Sequence, residues 1–184
     1  MRDASPPIFD EMNTAPTRAD LMVILGLFAL LSVAYWAGVT LLTGERTFPL
    51  DDAYIHLQFA RNLAETGQMA FNTGVPSSGC TAPLYAILLA VSFTIVRDWT
   101  LASTVLGGAA SLGGALLVYV TVGQWSRRRN AALWAAITTV CATPTVIAAY
   151  SGMETPVYVF AFLCGLALYT QDRTRLLGSL CFAV

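Results

Sequence analysis

Adjacent carboxylates at Asp51 and Asp52, followed closely by Tyr54, His56 and Arg61, make the densest polar stretch of an otherwise apolar chain. A third acid, Glu154, stands in a short polar turn, 151–155, between two apolar runs. A carboxylate beside an acceptor hydroxyl takes its proton as the oxygen attacks, and hard oxygen ligands also hold divalent ions. His56 reads as a hydrogen-bonded partner of Asp52, one helical turn away, and Arg61 carries the planar guanidinium suited to a phosphate. Each residue also fits a structural role: Asp51 as a helix N-cap, Asp52 as a first-turn acid favoured by the helix dipole, Arg61 as a solvated charge, and Glu154 as a turn residue or the cap of a helix entered at Pro156. The residues alone leave both sets of roles open. No glycine-rich phosphate loop follows a strand pattern and no Ser/His/Asp set is present. Four cysteines without a CxxC pair match neither a zinc site nor a disulfide framework, and those inside apolar runs read as small core residues.

The elements that must position these residues follow from composition. The chain is 56% hydrophobic and 11% charged, against roughly a quarter charged in a soluble domain, which excludes an ordinary soluble globule and a disordered tail. Its basic residues are all Arg, the net charge is −1, and no basic patch exists for nucleic acid. Runs 21–42, 99–125 and 131–153 carry no charge and reach the about 20 residues that cross a bilayer. Runs 81–96 and 155–171 are shorter, and 176–184 is too short to span. The sequence therefore predicts an all-α polytopic transmembrane bundle in the cell membrane. A flexible cytoplasmic tail, 1–20, precedes a module with spans 21–42, 99–125, 131–150 and 156–170 and a truncated span 176–184, as expected for the front part of a longer protein.

Arg127, Arg128 and Arg129, and then Arg173 and Arg175, mark inner loops. The helices between them then form a hairpin with its tip, 151–155, outside. With the tail inside, parity requires one run not to cross, and 81–96, opened by Pro83, becomes a juxtamembrane helix; the alternative is that it spans and the tail lies outside. Residues 51–65 read as a helix stopped by Gly67. Its apolar stripe is Ile55, Phe59 and Leu63, widened by Ala60 and Ala64, with Asp52 within the stripe, His56 beside it, and Gln58, Arg61, Asn62 and Glu65 opposite. Gly107-Gly108 and Gly113-Gly114 predict close helix approach, and Pro144 a loosened helix end.

The strings Leu50-Asp51-Asp52-Ala53-Tyr54-Ile55 and Phe59-Ala60-Arg61-Asn62-Leu63 resemble the first external loop of the GT-C superfamily of membrane glycosyltransferases. The continuation through Phe71-Asn72-Thr73-Gly74 and Cys80-Thr81-Ala82-Pro83-Leu84-Tyr85 is similar to the same loop in arabinofuranosyltransferase-like and protein-mannosyltransferase-like members, and Ser151-Gly152-Met153-Glu154-Thr155-Pro156 to their second acidic loop. The resemblance covers about half of the chain, 48–96 and 146–175. It implies a GT-C-like module with juxtamembrane helices in its first external loop. It also implies an inverting transferase that moves a sugar from a polyprenyl-phosphate donor to a glycan, lipid or protein hydroxyl at the extracytoplasmic face. On this resemblance Asp51 or Asp52 is the general base, Glu154 orients a substrate or, with Asp51, holds a divalent ion where one is used, and Tyr54, His56 and Arg61 bind substrate. Missing later helices would leave the fragment inactive alone. A transporter or lipid-flipping subunit, which would need acids within its spans, and a non-catalytic envelope scaffold are the competing expectations.

Overall fold

The computed structural model describes residues 15–75 and 77–169. The expected features at 176–184, Arg173 and Arg175, and most of the predicted tail, lie outside the described residues. Within them the protein is all-helical, with seven helices and no strand.

The first helix, α1 (Arg18–Thr43), begins earlier than expected. Thr17 and Asp20 form a reciprocal capping box, which draws Arg18, Ala19 and Asp20 out of the predicted tail and into the helix. The second, α2 (Asp51–Thr66), ends at Gly67 in the left-handed conformation, as the sequence predicts. Its N-cap, however, is Leu50, without a side-chain bond, so Asp51 is the first helical residue and not the cap. Pro83 opens α3 (Pro83–Val96), and Asp98 caps α4 (Trp99–Ser126) by accepting the Leu101 N–H at 2.7 Å. The predicted single span 131–150 is broken instead. It forms α5 (Arg129–Cys141) and α6 (Thr143–Tyr150), bent by 55° at Ala142, because Pro144 tolerates the first turn of a helix and not its interior. The last described helix is α7 (Thr155–Tyr169).

Two helices, α1 and α4, are long and apolar enough to cross a membrane, and α5 with α6 adds a third if the bent pair is one span. The shorter apolar helices are α3 and α7. At the centre is α4, packed against α3, α5, α6 and α7, while α2 lies on α3 and α1 on α5. Small residues along α4 explain its centrality, since Gly107, Gly108, Ala110, Gly114 and Ala115 are all buried. A Cβ at Gly107 would overlap the Ala149 carbonyl. This is the close backbone approach that drives helix association where water is absent.

The two ends of the bundle are held differently. At the start of α1, Asp20 is 1% exposed and accepts bonds from the Tyr119 hydroxyl at 2.8 Å and from Arg129 at 2.8 and 2.9 Å, tying α1, α4 and α5 together. At the other end, Phe59, Tyr85, Leu89, Ala102 and Val157 close a core shared by α2, α3, α4 and α7. Among the described cysteines, Cys141 is exposed and Cys80 and Cys164 are partly buried. The expectation of core cysteines therefore fails at Cys141, which shares the exposed face of α5 with Trp134 and Thr138.

Candidate functional site

The site is built on α2. The residues buried along it are Ala53, His56, Phe59, Ala60 and Asn62, so the covered face is turned from the predicted stripe toward Ala53, and Ile55 at the stripe's edge is exposed. Asp51 and Asp52 are both exposed. Asp52 lies one turn before His56 on the same side of the helix, yet it is not the buried acid the periodicity predicts. The covering turn at Gly152 sits over Ala53 and Phe48, and leaves Asp52 open. Asn62, expected to face outward, is buried because the chain after Gly67 folds back over it. Its amide donates to the carbonyls of Ala70 and Phe71, each at 2.8 Å.

Tyr54 and Arg61 are committed to local contacts. The Tyr54 hydroxyl accepts the Phe48 N–H at 3.2 Å and shares a 2.6 Å bond with the Thr47 hydroxyl, pinning the segment that enters α2. Arg61 pairs with Glu65 at 2.9 Å in an exposed i,i+4 contact, of a kind worth about 0.3–0.5 kcal/mol. That contact lies along the outer side of α2, away from His56.

Glu154 arrives from the far side of the bundle, on the turn between α6 and α7. Gly152 makes that turn possible. Its φ is +78°, a left-handed conformation, and a Cβ there would stand 2.7 Å from the Ala53 Cβ and 3.0 Å from the Phe48 ring. Tyr85 on α3 braces the same turn. Its hydroxyl donates to the Gly152 carbonyl at 3.0 Å, which leaves the Ser103 hydroxyl as the donor in their 3.0 Å contact. Burial, reinforced by the nearby Glu154 carboxylate, pushes the Tyr85 hydroxyl up to about 12, so it stays protonated.

The turn so held brings Glu154 Oε2 to 2.9 Å from His56 Nε2. The partner of His56 is thus Glu154, and not Asp52. The approach is at contact distance without the N–H aimed at the oxygen, which leaves Oε2 buried without a hydrogen-bond partner; His56 Nδ1, on the other side of the ring, is likewise buried and unpartnered. His56 also meets the Tyr85 ring edge-on at 5.5 Å. Of the residues singled out in the sequence, the structure joins His56 and Glu154 directly, sets Asp51 and Asp52 at the open start of the same helix, and leaves Arg61 apart. Among the described residues no three His, Cys, Asp or Glu side chains converge. Tyr85, Ser103 and Gly152 were missed as site residues. Tyr85 carried only the weak signal of a polar group in a short apolar helix, and Gly152 that of a turn former.

Comparisons with protein-family profiles, with curated proteins and with solved structures find no match for this chain.

Proposed function

We propose that this chain is the acid-bearing module of a multi-pass membrane glycosyltransferase, which moves a sugar from a polyprenyl-phosphate donor to an acceptor hydroxyl at the extracytoplasmic face. One observation carries the reading: the acidic start of α2 and the Glu154 turn, separated by about a hundred residues, dock on each other at one end of an apolar helical bundle. In this reading Asp51 or Asp52 removes the proton from the acceptor hydroxyl while its oxygen attacks the anomeric carbon, and the polyprenyl phosphate departs with the electron pair of the breaking bond. A phosphate leaves as a stable anion and needs positive or dipolar stabilisation more than a strong acid. Glu154, with a fifth of its side chain exposed, orients a sugar or acceptor hydroxyl beside the base.

The placement of charge also supports the reading over permeation. Asp51, Asp52, Glu154 and Asp98 stand at helix starts or in turns, whereas an ion path needs acids within the spans. The test is transfer from a polyprenyl-phosphate sugar in membranes expressing the complete gene product. Asp51→Asn or Asp52→Asn should lower the rate at least a hundredfold, by loss of the general base. Glu154→Gln should cost about tenfold or more, by loss of orientation. Wild-type rates in all three variants would refute the mechanism.

A further inference from the structure

His56 is 3% exposed, enclosed by the Tyr85 ring and the Glu154 turn. A residue so buried has no surface to offer a sugar or phosphate. Its surroundings make it expensive to keep: Nδ1 is buried and unpartnered, where an apolar side chain of similar shape would leave no polar atom unsatisfied. What the imidazole reaches is a single oxygen of Glu154, and that oxygen is itself fully buried. The exposed fifth of the Glu154 side chain therefore excludes Oε2, the oxygen held inside against the imidazole.

We infer that His56 is a positioning residue that acts through Glu154, fixing Oε2 with its Nε2–H so that the remaining carboxylate oxygen is presented to a substrate hydroxyl. This rests on the glycosyl-transfer reading above and assigns His56 a task different from substrate contact. Nε2 and Oε2 are already 2.9 Å apart, so the bond needs alignment and not approach. Catalytic hydrogen bonds commonly tighten in this way when substrate binds. Tyr85 and Ser103 support the same carboxylate from the backbone side, since they hold the Gly152 carbonyl two residues before it.

Two near-isosteric substitutions separate this from a direct or merely structural role. In His56→Gln the amide nitrogen reaches the Nε2 position, whereas in His56→Asn it stops near Nδ1, short of Glu154. Measured in membranes containing the complete gene product, H56N should lower kcat about tenfold or more with donor KM within about twofold, and H56Q should recover most of that loss. Adding H56N to Glu154→Gln should cost less than about a further twofold, because the two residues act as one unit. Glu154→Asp, which withdraws the carboxylate from His56 without disturbing the α2 core, should reproduce the H56N loss and serves if the His56 variants do not accumulate. The inference is overturned if H56N raises KM with kcat intact, if H56Q is as impaired as H56N, if the losses multiply in the double variant, or if E154D retains wild-type kcat. If those results come with Asp51→Asn or Asp52→Asn still inactive, the transferase reading survives without this role. If neither aspartate matters, the reading itself falls.

Discussion

Replacing Gly152 with alanine tests whether the contact between the α6–α7 turn and α2 is as close as described. The substitution adds one methyl group with two separable effects. A left-handed φ of +78° costs an L-residue about 1–2 kcal/mol. The new Cβ would also stand 2.7 Å from the Ala53 Cβ and 3.0 and 3.1 Å from Phe48 ring atoms, and neither neighbour yields freely. The Ala53 Cβ is fixed to the α2 backbone, and Phe48 is 5% exposed, wedged between that helix and the turn. Overpacking of this kind costs about 1–3 kcal/mol, so the total is about 2–5 kcal/mol. Gly67 supplies an internal control. Its φ is +72° but nothing lies within 4 Å of its hypothetical Cβ, so Gly67→Ala should cost only the backbone part, about 1–2 kcal/mol. Equilibrium unfolding by SDS in mixed micelles measures both. Equal losses in the two variants would refute the close approach at Gly152, and with it the geometry that delivers Glu154 to His56. A larger loss at Gly152 should come with reduced transfer activity in the folded fraction, since the turn must then move away from α2.

Asn62→Ala leaves the buried Ala70 carbonyl without its donor, while the Phe71 carbonyl keeps the Gln58 amide at 3.2 Å; a loss of about 1–3 kcal/mol is expected, together with faster proteolysis of the loop that follows α2. Tyr119→Phe deletes one bond to the buried Asp20 carboxylate and should cost about 1.5–3 kcal/mol, whereas Asp20→Ala removes that carboxylate's bonds to both Tyr119 and Arg129, leaving Arg129 its 3.1 Å bond to Thr17, and should cost distinctly more in the same unfolding assay. For Tyr85, burial pushes the folded hydroxyl up to about 12 from the ordinary tyrosine value of about 10. The unfolded chain therefore loses this proton first, and the folded state binds more protons in between. The stability it contributes is full below pH 10 and is lost as pH rises toward 12, and Tyr85→Phe should flatten that segment of the pH profile.

The sequence by itself determined the helices and their ends wherever the cause is local. Uncharged runs specified α1 and α4, Asp98 and Pro83 started helices, and Gly67 stopped one, because caps and backbone preferences act within a turn of the residues that carry them. It also marked Asp51, Asp52, His56 and Glu154 as candidate site residues in an otherwise apolar chain. Helix periodicity, however, specifies which residues share a face and not which face is covered. The cover on α2 is the Gly152 turn, so it was the tertiary structure that buried Ala53 and His56, left Asp52 open and gave His56 the carboxylate of Glu154 as partner. The same holds at the opposite end, where Asp20 looks like one more charge in a polar tail until α4 and α5 bring Tyr119 and Arg129 to it. In both places the deciding contact joins residues about a hundred positions apart, and no local preference encodes such a contact.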